Sequence, residues 1–304
     1  MSIFNSGGYG NQQRQAGGCL NLRFIIGVVI AGIGLLSYLT HTEVNPVTGE
    51  KQHIAMSVDQ EMQLGLQAAP DMVNQMGGLV DPSDRRAQLV NAVGHHLLDR
   101  SDARRGPYTD NFHFSLLRDP QTINAFSLPG GQVFITAALF DRLENEAQLA
   151  GVLGHEIGHV IGRHGAEHMA TGQLGQMLVT AVAVGASNDR DNRGQLAAMA
   201  AMMANQVLQL KYSRNDEFQA DQFGLQFMAQ TGYDPREMHR VMEILKASAG
   251  SSGRGPSIFA THPDPDARID RIEAYLKDNY PSGIPGNLIT GASLKSEASM
   301  NLER

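Results

Sequence analysis

The chain has 304 residues, of which 42% are hydrophobic, and it carries a formal net charge of −7, so it is long enough for one sizeable core with appendages. Because the chain is mildly acidic and lacks a run of basic residues, its composition excludes a typical nucleic-acid-binding surface. Cys19 is the single cysteine, which excludes an intrachain disulfide.

The N-terminal region predicts a tail followed by a membrane anchor. Residues 1–23 are rich in Gly, Asn and Gln, which is typical of a disordered tail. Residues 24–40 carry no charge and number about 17, the short end of what spans a bilayer, so we expect an uncleaved transmembrane anchor; a buried core helix is the alternative. Arg14 and Arg23 precede this stretch, so the positive-inside rule places the tail in the cytoplasm and the rest of the chain outside.

The next segments predict a linker and two helices. Residues 41–56 contain Asn-Pro and Thr-Gly pairs, turn signals that are typical of a linker. Ser57, followed by Asp59 and Glu61, predicts the start of a helix, and residues 81–84 predict the start of another that runs to about residue 98.

Three extended segments follow these helices. Residues 111–117 alternate between polar and apolar side chains, residues 132–136 form a second short apolar run, and residues 123–128 lie between them. Pro129-Gly130-Gly131 predicts a tight turn between the last two segments. The pattern therefore predicts a small sheet.

Residues 155–159 have the form H-E-x-x-H. In a helix, His155 and His159 project from one face, where both imidazoles can bind one metal ion, and Glu156 can reach a water on that metal. Zinc with three protein ligands and one open position acidifies its bound water, and a neighbouring glutamate can take the proton. The alternative is a helix that carries two histidines by accident.

The flanks of this motif predict a buried helix. Apolar residues recur at three- and four-residue intervals around it. Gly151, Gly154, Gly158 and Gly162 each cost a solvated helix about 1 kcal/mol relative to alanine. We infer that another backbone packs closely against this helix and offsets that cost.

A third metal ligand is predicted from a later helix. One class of zinc peptidase takes it from H-E-x-x-H-x-x-G-x-x-H, but here His164 comes one residue early, which excludes it as that ligand. Ser213 and Asp216 predict a helix start, with Glu217 in its first turn and Asp221 on the same face. We expect Glu217 to bind the metal and Asp221 to fix the ring of a ligating histidine; a solvated acidic face is the alternative.

Two segments receive coarser predictions. Residues 166–210 are rich in Ala, Met and Gly and predict a helical hairpin, either packed beside the metal helix or covering the cleft as a mobile element. Residues 281–304 are predicted to be a polar C-terminal tail.

Four blocks of the sequence, taken together, resemble the gluzincin peptidases of the HtpX and CAAX-prenyl-protease type. The blocks are residues 124–131, 155–164, 212–221 and 261–263 with Arg268. The resemblance implies an α+β, mostly helical zincin fold over residues 57–280, with a small antiparallel sheet beside the metal-binding helix. It also implies a zinc-dependent endopeptidase that holds one Zn²⁺, with Glu156 as general base and Glu217 as third ligand.

The resemblance further implies roles for residues outside the metal helix. Asn124, Ala125 and Phe126 are expected to form an edge strand to which a substrate peptide adds in extended form; an ordinary core hairpin is the alternative. His262 is expected to point into the cleft and stabilise the oxyanion, unless it is structural. Arg268 is expected either to pair with a carboxylate near the site or to cap local structure.

The expected activity is hydrolysis of unfolded or misfolded envelope proteins by an enzyme anchored in the inner membrane, with its peptidase domain in the periplasm. A zinc-bound chaperone or assembly factor that binds clients with little cleavage is the second hypothesis, and an enzyme that uses a different metal is the third. Protein substrates and the membrane are the expected partners, nucleic acid is not, and the sequence sets no oligomeric state.

Overall fold

The computed structural model describes residues 22–54, 56–172, 174, 177, 212–248 and 258–295. The predicted tail therefore lies outside the described residues up to position 21, and so does the predicted helical hairpin from position 178 onwards.

Most of the described chain is helical, as predicted. The helices are α1 (Leu22–Thr40), α2 (Val58–Gln75), α3 (Arg85–Arg100), α4 (Ala137–Phe140), α5 (Glu146–Ile161), α6 (residues 164–172), α7 (Arg214–Gln230), α8 (Arg236–Ala247), α9 (Ile258–Thr261) and α10 (Pro265–Asn279), with short 3₁₀ turns at Asp102–Arg105 and Thr109–Asn111. The predicted helix starts are confirmed, because Ser57 caps α2, Asp84 caps α3 and Ser213 caps α7 with their side-chain oxygens.

A three-stranded sheet lies beside α5. Its strands are β3 (His113–Leu117), β4 (Ala125–Leu128) and β5 (Gln132–Thr136), in the order β3-β5-β4. β4 and β5 are antiparallel across the predicted turn, but β3 runs parallel to β5, so the expectation of a purely antiparallel sheet is wrong. Alternation along a segment predicts that it is extended, whereas its direction depends on the crossover that places β4 beyond β5.

Helix α5 is the centre of the core. Every residue from Ala147 to Ile161 is buried. A Cβ added at Gly154 would lie 3.1 Å from the Cα of Gly224, and one added at Gly158 would lie 3.0 Å from the Cα of Ala220. The backbone of α7 therefore packs directly on α5, as the glycines of α5 predict, and it carries acidic side chains to the histidines of α5.

The segment expected to be a linker forms a hairpin that caps the C-terminal end of α5. Strands β1 (Thr42–Val44) and β2 (Lys51–His53) pair antiparallel. The buried amides of Asn45 and Gln52 donate to the main-chain oxygens of Ile161, at 2.9 Å, and Gly162, at 2.6 Å. Carbonyls at the C-terminal end of a helix lack donors within the helix, and the side-chain amides of the hairpin are the donors here.

The start of the segment expected to be a polar tail packs at the opposite end of α5. The main-chain nitrogens of Glu146 and Ala147 donate to the oxygens of Ala292, at 3.1 Å, and Thr290, at 2.9 Å. The side chain of Leu294 is buried nearby. Both ends of the metal helix are thus held by segments that the sequence analysis places outside the peptidase domain.

Helix α1 covers the anchor predicted at residues 24–40. In the described part of the chain, no helix reaches the length and apolarity needed to cross a membrane, so the structure does not show the predicted anchor.

Candidate metal centre

The two histidines of the motif meet at one point of α5. Their Nε2 atoms lie 3.1 Å apart, and only 5% of His155 and 1% of His159 is exposed. The i, i+4 spacing places both rings on one face of the helix, as predicted. Burial lowers the pKa of His159 well below its ordinary value, so this ring is neutral and has a lone pair available for a metal ion.

Glu217 reaches the same point from the first turn of α7. Its Oε2 lies 3.6 Å from His155 Nε2, and its Oε1 lies 3.4 Å from His159 Nε2. The predicted capping box of Ser213 and Asp216 starts this helix and thereby fixes the position of Glu217. Burial alone would raise the pKa of Glu217, but the charges of His262 and Arg268 outweigh it and hold the pKa well below the ordinary value. The carboxylate is therefore ionised.

His262 joins the cluster from the turn after α9. Its Nδ1 lies 3.0 Å from Glu217 Oε1 and 3.2 Å from His155 Nε2. Ligand atoms of His155, His159, Glu217 and His262 all lie within 4.8 Å of one another, and this is the one group among the described residues that could hold a metal ion. The resemblance implies a position for His262 in the cleft but not a role as a metal ligand.

The spacing of these atoms fits a zinc ion. Bonds of about 2.0–2.1 Å at tetrahedral angles place ligand atoms about 3.3 Å apart, and the contacts among His155, His159 and Glu217 measure 3.1, 3.4 and 3.6 Å. Two imidazole lone pairs and a carboxylate that converge on one buried point repel each other unless a cation lies between them. The donor set of two nitrogens and one carboxylate oxygen is one that zinc prefers.

Asp221 and Arg268 hold the outer side of the cluster. Asp221 Oδ1 accepts from His155 Nδ1 at 2.9 Å, so His155 carries its proton on Nδ1 and turns Nε2 towards the cluster. Arg268 donates from Nε and Nη2 to both oxygens of Asp221, at 2.8 and 2.6 Å, and Nη1 lies 2.8 Å from Glu217 Oε2. Arg268 thus pairs with carboxylates of the site, which decides between its two expected roles. It also holds the pKa of Asp221 below the ordinary value although burial raises it.

Glu156 lies on the other side of the histidine pair. It is 1% exposed, and its Oε2 accepts from Ser127 Oγ at 3.0 Å. Its Oε1 lies 3.6 Å from His262 Nε2. Glu156 belongs to the motif but not to the ligand cluster. Its carboxylate is thus held beside the cluster in a fixed orientation.

A model of Peptidase family M48 matches residues 84–276 of the chain. The chain belongs to Peptidase family M48. As an M48 protein with this HExxH site, it is a metalloendopeptidase.

Three relatives named as proteases support the assignment. The mitochondrial metalloendopeptidase OMA1 of Schizosaccharomyces pombe is 32% identical over 256 residues, which cover 84% of this chain and 72% of that protein. The beta-barrel assembly-enhancing protease of Escherichia coli K12 is 31% identical over 233 residues, which cover 74% of this chain and 45% of that protein. The metalloendopeptidase OMA1 of Bos taurus is 29% identical over 256 residues, or 81% of this chain and 49% of that protein. The chain thus spans about half the length of the last two relatives.

The expected substrate strand of this M48 peptidase lies at the outer position of the sheet. β4 pairs with β5 on one side, and it packs beside α5. However, Asn124, Ala125 and Phe126 are 1%, 0% and 9% exposed. The strand has the expected place beside the metal helix, but its side chains are covered.

Three residues at the site carry contacts that the sequence analysis does not predict. Ser127 holds Glu156, as described above, and Tyr212 stacks on the His159 ring at 3.8 Å with 22° between the planes. His164, which its spacing excludes as a ligand, contacts His159 through Nδ1 at 2.9 Å. Ser127 and Tyr212 fall inside the resembling blocks, and only that position in the sequence could have drawn attention to them.

Proposed function

We propose that this M48 peptidase is a zinc-dependent endopeptidase in which His155, His159 and Glu217 hold the metal and Glu156 is the general base. The observation that carries the proposal is the convergence of the three side chains, whose nearest ligand atoms lie 3.1–3.6 Å apart, with a separate buried carboxylate on the helix that carries the histidines. Zinc bound there would acidify a water and polarise the peptide carbonyl.

The residues around the metal position suit peptide hydrolysis. Glu156 would take a proton from the attacking water and hand it to the leaving amine. The hydroxyl of Ser127 fixes Oε2 of Glu156, so Oε1 remains for the proton transfer. Asp221 orients the His155 ring, which supports its role as the acceptor behind a metal ligand.

His262 fits the predicted donor to the oxyanion. Burial alone would lower its pKa, but the charges of Glu217 and Glu156 outweigh burial, so its pKa lies above the ordinary value. Its Nδ1 bonds Glu217, while its Nε2 is buried and makes no hydrogen bond within the described structure. A protonated ring in this position can donate from Nε2 to an oxygen that gains charge as water attacks.

One observation favours the second candidate, a zinc-bound chaperone or assembly factor. His262 Nδ1 lies close enough to act as a fourth ligand, and four protein ligands close a zinc site against water. In the endopeptidase, replacement of His262 by alanine lowers the rate of hydrolysis because a donor is lost. In a closed site with a structural zinc, the same change lowers zinc affinity, and neither the wild type nor the variant hydrolyses peptides.

For the substrate, we propose extended segments of unfolded or misfolded envelope proteins that add to β4 along Asn124, Ala125 and Phe126. The placement of β4 beside α5 supports this role. Because these residues are buried, the edge must open before a peptide can pair with it. The relative named as a beta-barrel assembly-enhancing protease supports an envelope location, with the peptidase domain on the extracytoplasmic side.

Casein digestion by the full chain tests the proposal, with Glu156→Gln as the matched control. We expect cleavage by the wild type, loss of about 10²–10⁴-fold in the variant because the general base is absent, and equal zinc content in both by metal analysis. Equal client binding without cleavage by either protein would favour the chaperone. If zinc fails to restore the activity of the chelated enzyme and another metal restores it, the third hypothesis is favoured. Reporter enzymes fused to the C-terminus test the location.

A further inference from the structure

His164 is a buried histidine for which the proposed mechanism has no role. Helix α5 ends at Ile161, and Arg163 follows with a positive φ of 56°, so the chain turns sharply before α6 begins. This turn folds the His164 ring, which is 2% exposed, back against His159. The two Nδ1 atoms lie 2.9 Å apart, on the side of His159 that faces away from the ligand cluster.

The contact continues through two more side chains to the surface. His164 Nε2 lies 2.8 Å from Oε1 of Gln219, and Nε2 of Gln219 donates to Oε2 of Glu50 at 2.8 Å. Gln219 belongs to α7, whereas the exposed Glu50 belongs to the turn of the β1–β2 hairpin. Four side chains from four segments thus form one hydrogen-bonded series.

The Glu50 carboxylate at the end of the series determines which atom donates in each of its hydrogen bonds. An ionised carboxylate only accepts hydrogen bonds, so the amide nitrogen of Gln219 must face Glu50 and its oxygen must face His164. His164 must then donate from Nε2, and a neutral ring that donates from Nε2 accepts at Nδ1. The proton between the rings therefore belongs to His159 Nδ1.

We propose that His164 is a positioning residue that fixes the tautomer and the ring orientation of His159 for metal binding, with Gln219 and Glu50 fixing His164. With its proton on Nδ1, His159 presents the lone pair of Nε2 to Glu217 and His155. The opposite tautomer would place a proton on Nε2, where it blocks the metal. This inference rests on the proposed zinc site.

The packing around His164 leaves little freedom for another arrangement. A Cβ added at Gly162 would lie 2.5 Å from His164 Nε2, so the ring occupies space that only a glycine leaves open. Asp221 performs the equivalent task for His155 at 2.9 Å, but with a charged acceptor. The site thus fixes one ligand through an anion and the other through a neutral ring, which limits the negative charge buried around the metal.

The series also extends the functional centre beyond the part of the chain that the family model matches. Glu50 precedes the matched residues 84–276 and reaches the centre only through the hairpin. The hairpin therefore contributes to the metal centre as well as capping α5.

Zinc affinity of the full chain, measured by competition with a chromogenic chelator, tests the proposal. His164→Phe keeps a ring but removes the acceptor, and we expect about 10–100-fold weaker zinc binding, the usual effect of losing a partner behind a metal ligand. His164→Asn keeps an oxygen near the position of Nδ1, and we expect it to recover most of the affinity. His239→Phe is the matched control, because His239 lies on α8 and pairs with Glu273 at 3.1 Å and not with a residue of the centre, so we expect no change.

A spectroscopic readout separates positioning from general loss of structure. In ¹⁵N-labelled zinc-free protein, the shifts of the His159 ring should show a proton on Nδ1 and none on Nε2. His164→Phe should give a mixture of tautomers, and Glu50→Gln, which frees the amide of Gln219 to flip, should give a partial mixture.

The outcomes are distinct. Wild-type zinc affinity in His164→Phe, or equal losses in His164→Phe and His239→Phe, overturns the proposal. If circular dichroism shows that His164→Phe does not fold, His164→Asn and Glu50→Gln test the proposal in its place. A single tautomer of His159 in Glu50→Gln, as in the wild type, overturns the proposal. If the wild type itself binds no zinc, the proposed function fails; if the wild type binds zinc and digests casein while the variants match it, only this inference fails.

Discussion

Replacement of Arg268 by methionine tests how the buried charges of the centre are balanced. Arg268 is 4% exposed, donates to the carboxylate of Asp221 and forms an ion pair with that of Glu217; these two residues are 2% and 0% exposed. Methionine fills much of the same volume but carries no charge. The variant therefore leaves Asp221 without its main counter-ion and Glu217 with the charge of His262 alone, while His155 still contacts Asp221.

The expected loss is large on the scale of protein stability. Removing one partner of a buried ion pair destabilises a protein by about 3–5 kcal/mol, and total unfolding free energies are about 5–15 kcal/mol. With a urea m-value of about 3 kcal/mol/M, this loss shifts the unfolding midpoint by about 1–1.7 M. Zinc at 100 times its dissociation constant should recover about 2.7 kcal/mol, because it binds the folded state.

The pH dependence of the loss has a definite sign. In the wild type, Arg268 holds the folded-state pKa of Asp221 below its unfolded value, so this carboxylate stabilises the fold above about pH 4, and the contribution is lost as the pH falls through the lower folded pKa. In the variant, burial raises the folded pKa above the unfolded value, so the ionised carboxylate destabilises the fold at high pH and protonation relieves it. The deficit should therefore be larger at pH 8 than at pH 5.

The assay is urea unfolding of the chelated full chain, followed by circular dichroism at pH 5 and pH 8. Arg268→Lys is the matched control, because lysine keeps the charge but loses the forked pairing, and we expect a smaller loss. A deficit of less than about 1 kcal/mol at pH 8 for Arg268→Met, against the expected range for a buried pair, would refute the reasoning. So would a deficit that grows as the pH falls.

Three further changes probe separate parts of the centre. Ser127→Ala should lower kcat for peptide hydrolysis by about 10- to 150-fold at unchanged KM, because a hydrogen bond to a charged group contributes about 1.5–3 kcal/mol; Ser127→Thr is the control, and equal kcat in both variants would contradict the role. Gly158→Ala should lower the Tm by several degrees, because the added Cβ lies 3.0 Å from Ala220 and overpacking costs about 1–3 kcal/mol; Gly286→Ala, with nothing within 4 Å, should leave the Tm unchanged. Chelation should abolish hydrolysis and added zinc should restore it, and activity that survives dialysis against a chelator would exclude the metal mechanism.

The ligand helix was predictable because its signals are local. A capping box needs only a spacing of three residues, and a helix places residues four apart on one face, so Ser213, Glu217 and Asp221 could be read from one stretch of sequence. The same rule gave the pair on α5. The glycines of α5 also predicted the close approach of another backbone, although they could not say which helix supplies it.

The ends of α5 show why the contacts of other segments could not be predicted. Asn45 and Gln52 are polar residues near turn signals, so they resemble parts of a solvated linker. In the structure, they satisfy carbonyls more than 100 residues away, as the contacts with Ile161 and Gly162 show. A polar side chain carries no local sign of whether its partner is water or a distant helix end, so the turn signals around these residues predict only a linker.

The least predictable contacts are those behind the metal ligands, although the chemistry requires them. A buried imidazole that binds a metal through Nε2 must place its Nδ1 proton on some acceptor. For His155 the acceptor is Asp221, an acid in helical register with Glu217, and the sequence supplied it. For His159 the acceptor is His164, whose spacing from the motif excludes it as a metal ligand but does not bear on this contact, because the turn at Arg163 folds the ring back against His159. The need of the His159 Nδ1 proton for an acceptor, and not the spacing of His164 from the motif, is therefore the feature of the sequence that points to His164.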